Sequence, residues 1–492
     1  MNRIIIDLDR VLGEIDRNIF GGFAEHLGRC IYGGIYEPGS PLADKEGYRI
    51  DVLAALRRLG ISVVRYPGGN FVSGYRWRDG VGPVGERPAR TDLAWHDVET
   101  NRFGTNEFVQ WCRRLGAEPY LVVNCGDGDI REARDWVEYC NGTGDSALSK
   151  LRGEHGFPQP HGIKYWGIGN EVDGHWQIGY KTAEEYARSF TEFGKVMKWV
   201  DPKIKLIASA VSDWNGEFVE RAQLLLEQAP DLVDYLSLHW YVGNPSNDFA
   251  AYMAVSELIE ERLAAYEGLV RAMRLQKGIR HPTHLAVDEW NVWYRTHPRY
   301  GAVTVETKLE EVYNLEDALV TALQLNAFLR HACSVKMANI AQVVNVIAPV
   351  FTRPDSLVLQ TVFYPFEIYS KTCGRLALDI RWESDTFSGG NYSGVRTLDV
   401  SASLDAVDKK LSVYVVNRSQ SQPMEAELRL TEGSFGDKVT VYTLNGIDIK
   451  SENTFSSPQN VATREANVAA GGNRFSYAFE PHSVTAIACG VS

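Results

Sequence analysis

From about residue 17 onward, short apolar runs alternate with longer stretches whose apolar residues recur at three- and four-residue intervals. The runs cover residues 18–25, 61–69, 118–126, 163–171, 205–212, 235–242, 283–292 and 335–345, and their length and composition predict strands. Residues 51–59, 106–115, 130–139, 183–200, 218–228, 253–276 and 315–332 carry the helical spacing, and a final helix is predicted over 363–372. A strand followed by a helix, eight times over, predicts a closed parallel (β/α)8 barrel, a TIM barrel, rather than an open doubly wound sheet.

The texture changes near residue 374. Segments 411–416, 426–430, 438–442 and 475–479 alternate polar and apolar residues and are separated by Gly, Ser and Asn clusters. This is the pattern of an antiparallel, jelly-roll-like β-sandwich, each sheet burying one face. The expected organisation is a barrel over residues 17–373 and a sandwich over 374–492, joined by the N-terminal strand segment 1–16, because residues 3–8 read as a strand left over from the barrel count. Residues 141–160, with their Gly, Ser and Pro, predict a long loop shaping the mouth of the barrel.

Composition narrows the partners. With 51 basic and 63 acidic residues the net charge is −12, which argues against nucleic acid or an anionic membrane and favours a neutral ligand. The seven cysteines are odd in number and lack CxxC spacing, so they read as reduced core residues rather than zinc ligands or disulfides. The N-terminus turns charged after three apolar residues, and no run approaches the roughly 18 apolar residues of a membrane span. The expectation is a cytoplasmic protein without a membrane partner, acting on short pieces imported from outside.

Two glutamates sit where an apolar run turns polar: Glu171 in Tyr165-Trp-Gly-Ile-Gly-Asn-Glu171, and Glu289 in Leu285-Ala-Val-Asp-Glu-Trp-Asn-Val-Trp-Tyr294. At the C-terminal ends of strands four and seven they face one another across the barrel mouth, where catalytic groups of this fold converge. Hydrolysis of a glycosidic bond needs two such carboxyl groups; a separation of about 5 Å supports retention and one of roughly 6.5–9.5 Å supports inversion. Other strand ends supply Glu25, Arg65, Asn70, His239, Tyr241 and Gln342 as polar groups for sugar hydroxyls. Trp95, Trp166, Trp176, Trp240, Trp290 and Trp293 offer flat faces for a sugar, or else pack between strand and helix. Arg65 is either a structural ion-pair partner or the cation that keeps a nucleophilic carboxylate ionised. His26, His96, His175, His239 and His297 show neither HxH nor HExxH spacing, so no catalytic metal is expected. Gly21-Gly22 and Gly68-Gly69 do not form a phosphate loop and are read as tight turns at strand ends.

In residues 20–37, 65–70, 92–95, 169–173, 288–291 and 337–349 the chain resembles the family 51 glycoside hydrolases, and within them the bacterial intracellular α-L-arabinofuranosidases. The resemblance implies a retaining mechanism, a barrel with a C-terminal β-sandwich, no cofactor or metal in catalysis, and frequent assembly into homohexamers. It implies an exo-acting enzyme that releases terminal arabinofuranosyl residues from arabino-oligosaccharides. Carried over by position, Glu171 corresponds to the general acid/base and Glu289 to the nucleophile, with Asn170 binding the sugar 2-hydroxyl. Glu25, Asn70, Tyr241 and Gln342 match positions that hold the furanose or steady the nucleophile, Arg65 matches the arginine beside it, and Trp95 walls the pocket. His175 stands where proline is common, on the leaving-group side. The rival readings are a β-xylosidase or endoglucanase built on the same two-carboxylate barrel, and a noncatalytic carbohydrate-binding protein. For the sandwich, the scarcity of exposed-looking aromatics favours a structural cap over a carbohydrate-binding module.

Overall fold

The computed structural model describes residues 2–214, 216–297 and 309–492. Eight parallel strands close into a barrel: β1 (Gly21–Phe23), β2 (Val63–Tyr66), β3 (Glu118–Val123), β4 (Tyr165–Ile168), β5 (Lys205–Val211), β6 (Tyr235–Val242), β7 (His284–Val292) and β8 (Val335–Ala341). Neighbours in the chain are neighbours in the barrel, and Asn339 of β8 opposite Gly21 of β1 closes the ring. These strands read as nearly continuous apolar runs because both faces are covered. One set of side chains, including Val63, Tyr120, Tyr165, Ile207, Tyr235, Ala286 and Met337, fills the barrel interior as its own cluster. The intervening residues pack outward against helices.

Those helices are α1 (Ile50–Leu59), α2 (Thr105–Leu115), α3 (Ile130–Asn141), α4 (Ala183–Val200), α5 (Phe218–Gln228), α6 (Val255–Lys277), α7 (Leu315–Arg330) and α8 (Phe363–Thr372). Local sequence sets their ends: Thr182 and Glu185 form a reciprocal capping box at the start of α4, and Gly60 ends α1 in the left-handed region at φ 68°. Most are amphipathic, but α7 is buried from Leu315 to Leu329. It lies between the barrel and the C-terminal sheets, so both of its faces are covered.

The glycine pair Gly21-Gly22 is not a turn, as its sequence suggested, but two of the three residues of β1. A Cβ on Gly21 would lie 2.6 Å from Asn339 Nδ2 and 2.9 Å from the Ala338 carbonyl, and one on Gly22 would lie 2.3 Å from Val343 Cγ1. Close approach of β8 to β1 is what demands glycine there. The 141–160 connection also departs from expectation. It holds a helix, Ala147–Glu154, capped by Ser146, and it joins the end of α3 to the start of β4, which places it at the end of the barrel away from the mouth. Helix-to-strand connections in this fold always run on that side.

The C-terminal strands are β9 (Leu398–Asp405), β10 (Lys410–Asn417), β11 (Met424–Leu430), β12 (Phe435–Asn445), β13 (Ala462–Ala469), β14 (Arg474–Phe479) and β15 (Ser483–Val491). A seven-stranded sheet runs Val11–Glu14, Leu376–Leu378, β9, β10, β15, β12, β13, and a four-stranded sheet runs Arg381–Glu383, Asn2–Ile6, β11, β14. The first strand of the chain thus sits inside the smaller sheet, antiparallel to Arg381–Glu383 but parallel to β11, the one parallel pairing in an otherwise antiparallel arrangement. Alternation in β11, buried at Met424, Ala426, Leu428 and Leu430, puts one face toward Val413, Val415 and Ile487 of the larger sheet. The larger sheet packs on α7 and α8, where Tyr414 stacks on Tyr369 at 4.1 Å and Asp399 pairs with Arg330.

The steric argument for β1 is testable. Gly21→Ala lowers stability by about 1–3 kcal/mol through overpacking, read as a fall in thermal midpoint; an unchanged midpoint would show that β8 can move aside.

Candidate active site

A cavity of about 590 Å³ opens at the C-terminal ends of the barrel strands. Its walls include Glu25, Asn70, Trp95, Glu171, His239, Tyr241, Glu289 and Gln342, so eight of the ten positions singled out from the sequence meet in one place. The other two, Arg65 and Asn170, lie directly beneath it, almost wholly buried. A second cavity, about 390 Å³, lies behind the loop that carries Trp95, but its charged groups are spoken for: Arg90 binds Asp79, and Arg76 binds Asp127 and Glu132. Its remaining carboxylates are held as well, Asp92 by the backbone N–H groups of Ala94 and Trp95 and Glu99 by His26 and the Tyr32 hydroxyl.

Local backbone geometry aims the two glutamates. In Gly169-Asn170-Glu171 the chain turns sharply after β4, with Gly169 at φ 75° and Glu171 itself at φ 42°. A non-glycine residue held in the left-handed region costs about 1 kcal/mol or more, which the surrounding contacts must offset. Glycine at 169 is also a packing requirement, since a Cβ would lie 2.9 Å from both Cys125 and Val172. On β7 the pairing register with β8 shifts between Val287 and Trp290, and on β6 the pairing with β7 shifts between Ser237 and His239. These irregularities let Asp288 and Glu289, adjacent in sequence, both contribute carboxylates to the same cluster.

Glu289 receives hydrogen bonds from Arg65 Nη1 (2.8 Å) on one oxygen and from the Tyr241 hydroxyl (2.6 Å) on the other. Arg65 also donates to Asn170 Oδ1 and lies 3.4 Å from Asp288 Oδ2, with its guanidinium 4.7 Å from the centre of the Phe23 ring. Asp288 accepts hydrogen bonds from the Tyr120 hydroxyl at 2.8 Å and from Ser237. Glu171 accepts from Trp176 Nε1 at 2.7 Å and from His239 Nδ1 at 3.0 Å. Glu25 accepts from the Phe71 N–H (3.1 Å), Trp95 Nε1 (3.0 Å) and Gln342 Nε2 (3.0 Å). An oxygen of Glu171, one of Glu289 and a ring nitrogen of His239 all lie within 4.8 Å of one another.

Charge distribution follows from burial and neighbours. Burial disfavours the His239 imidazolium, yet Glu289, Asp288 and Glu171 outweigh it and push the group up to about 10. Burial likewise opposes the Arg65 charge, and Asp288 and Glu289 overcome it. Asp288 loses hydration on burial, but Arg65 and His239 hold it below the usual carboxylate range. Glu171 moves the other way: burial, then the charge of Glu289, raises it, with His239 and Trp176 opposing. Glu25 is pushed up to about 8 by burial and by Glu289, against the pull of its N–H donors. Two cations therefore face Asp288 and Glu289, and burial beside Glu289 disfavours a further negative charge on Glu171.

Glu171, His239 and Glu289 are the one group among the described residues with metal-ligand spacing. The guanidinium already bound to Glu289 and the imidazolium between the two glutamates occupy the place of a cation, so the donor set does not suit a metal ion.

Several residues were not legible as site residues. Trp214 and Asp213 after β5 and Arg262 on α6 line the cavity. Arg262 carries no motif, and helix periodicity cannot say that a boundary residue reaches the mouth. Asp288 was visible only as the neighbour of Glu289. Of the six tryptophans considered, Trp95, Trp176, Trp240 and Trp293 line the cavity, whereas Trp166 and Trp290 are fully buried between strand and helix, Trp290 against Phe328 and Phe366. His175 is exposed and stacks on Tyr180 at 4.2 Å, leaving its neighbour Trp176 to reach Glu171.

Two family models match the chain: "Alpha-L-arabinofuranosidase 1 domain" over residues 55–255 and "Alpha-L-arabinofuranosidase C-terminal domain" over residues 288–483. The chain is 43% identical over 439 residues to an intracellular exo-α-(1→5)-L-arabinofuranosidase of Halalkalibacterium halodurans, covering 87% of this chain and 88% of that protein. It is 41% identical over 435 residues to an intracellular exo-α-(1→5)-L-arabinofuranosidase of Bacillus subtilis, covering 87% of each. Among solved structures, the arabinose complex of the α-L-arabinofuranosidase from Thermotoga maritima matches with a TM-score of 0.91 and 39% identity over 99% of both chains.

The electrostatic coupling predicts a measurable shift. Glu289→Gln removes a negative charge that raises both Glu171 and His239, so both titrate at lower pH in the variant, read by NMR of labelled Glu and His side chains. If neither midpoint moves, the groups are not coupled as their distances indicate.

Proposed function

The chain belongs to the family 51 α-L-arabinofuranosidases, and we propose that it removes terminal non-reducing arabinofuranosyl residues from arabino-oligosaccharides with retention of configuration. The observation that carries the stereochemical reading is the approach of Glu171 and Glu289 oxygens to within 4.8 Å. Retaining enzymes hold their carboxyl groups about 5–5.5 Å apart, leaving no room for a water between nucleophile and sugar, whereas inverting enzymes need roughly 6.5–9.5 Å.

In this reading Glu289, oriented by Arg65 and Tyr241, attacks the anomeric carbon as the Glu171 carboxyl protonates the departing oxygen. The glycosidic C–O bond breaks, an arabinosyl ester forms on Glu289, and the leaving alcohol takes the Glu171 proton. The ester carries no charge, so Glu171 loses the negative neighbour that raised its pKa. It then takes a proton from water, which attacks the anomeric carbon, breaks its bond to the Glu289 oxygen, frees the sugar and restores Glu289 as a carboxylate. Asn170, held by Arg65, is placed to bind the sugar 2-hydroxyl, and Glu25, Asn70, Gln342 and Trp95 form the polar and aromatic wall around the furanose. His239 bridges the two glutamates and keeps Glu171 in position.

The names of the intracellular exo-acting relatives support placing this activity in the cytoplasm on imported arabinan or arabinoxylan fragments. No helix among the described residues is long and apolar enough to cross a membrane. Homohexamer assembly belongs to the same proposal and is read directly by sedimentation velocity.

Wild type releases p-nitrophenol from its α-L-arabinofuranoside, and Glu289→Ala loses on the order of 10⁴-fold or more of that rate; NMR of the first-formed arabinose shows the α-anomer. Initial β-arabinose would establish inversion, and turnover confined to xylosides or glucosides would move the enzyme to the rival substrates. Glu171→Ala slows poor leaving groups far more than p-nitrophenol, and azide restores its rate. Equal loss on activated and unactivated glycosides without azide rescue would remove Glu171 from the acid/base role.

A further inference from the structure

The cavity has an end that the chemistry above leaves unused. Trp214 follows β5, diametrically across the barrel from β1, which leads to Glu25. Glu171, whose proton must face the departing oxygen, stands between these ends at β4, next to β5, and binds Trp176. The leaving portion of the substrate therefore runs toward Trp176, Trp214 and Arg262.

Arg262 is half-buried on α6, and its guanidinium carbon lies 4.4 Å from the centre of the Trp214 ring. Among the described residues it has no hydrogen-bond or ion-pair partner; Asp213 lines the same end without reaching it, and the adjacent Glu261 takes the Tyr392 hydroxyl. Burial draws the group down to about 10, with Tyr392 the one group opposing that shift, so it remains a cation at neutral pH. A guanidinium on an aromatic face keeps its N–H edge free in its own plane, the geometry that takes a carboxylate through two parallel hydrogen bonds. Neutral sugar hydroxyls leave such a desolvated charge uncompensated; an acidic sugar supplies the missing anion.

We propose that Arg262 binds the carboxylate of a uronic acid residue in the leaving portion of the substrate, so that arabinofuranosyl branches on acidic oligosaccharides are preferred over those on neutral ones. This rests on reading the cavity as an arabinofuranosidase site with Glu171 as the acid. Trp176, more than half exposed at the rim, offers a face for the same sugar, and Asp213 an acceptor for its hydroxyls.

The test compares kcat/KM for an arabinofuranosylated oligosaccharide bearing a uronic acid with that for the same compound after its carboxyl is reduced to the primary alcohol. Wild type favours the acid by about tenfold, and the ratio shrinks as ionic strength rises toward about 0.5 M, a readout that needs no variant. Arg262→Gln brings the ratio to near one, and Arg262→Lys, which keeps the charge but not the fork, retains part of it. A ratio near one in wild type, or one that survives in Arg262→Gln, overturns the proposal. Failure of wild type to turn over p-nitrophenyl α-L-arabinofuranoside would instead strike at the underlying assignment and take this inference with it.

Discussion

The buried guanidinium of Arg65 is the interaction on which the site depends. It is 1% exposed, rises from β2, and ties that strand to the ends of two others, through Asn170 after β4 and through Asp288 and Glu289 on β7. A lone cation at that depth would cost several kcal/mol, and removing either partner of such a pair is far more costly than never burying it. The carboxylates are thus held in place by the same charge they neutralise. Phe23 from β1 covers one face of the guanidinium, so a fourth barrel strand is drawn into the arrangement.

From that anchor the electrostatics propagate outward. Asp288 and Arg65 make a floor of fixed charge, His239 links it to both glutamates, and burial together with the charge of Glu289 pushes both Glu171 and Glu25 upward. Backbone shape is subordinate to this cluster. The left-handed turn at Glu171, the shifted registers of β6 and β7, and Gly68, where a Cβ would lie 2.6 Å from Glu25, all permit carboxyl groups to crowd together at one end of the barrel. Strain at such positions is expected where a site needs side chains in directions that regular strands do not offer.

The outer parts of the fold hold the rim. Glu311, fully buried, accepts hydrogen bonds from the backbone N–H groups of Tyr294, Arg295 and Thr296, and Thr296 in turn accepts from Trp293, which walls the cavity. The C-terminal sheets reach the same region through one loop, where Lys450 pairs with buried Glu316 and Asn453 donates to the Leu359 carbonyl. Together with the packing of the larger sheet on α7 and α8, these contacts fit a structural cap better than a separate binding module.

The eight strand-and-helix units were legible because each must bury an apolar stripe of fixed period, and that requirement is written locally. Glu171 and Glu289 were legible for a related reason: a carboxylate at the end of an apolar strand has few local explanations. Sequence alone also carried the resemblance in the residues around them. What it could not carry was anything decided by the approach of distant segments. That Gly21-Gly22 is a strand pressed against β8, that 141–160 lies away from the mouth, that Trp166 and Trp290 are core while Trp214 and Arg262 line the cavity, and that Asp288 shares a cation with Glu289 all depend on closing the barrel. Periodicity records which face of an element is buried; the neighbour found there, and the charge it brings, exist only in the folded chain.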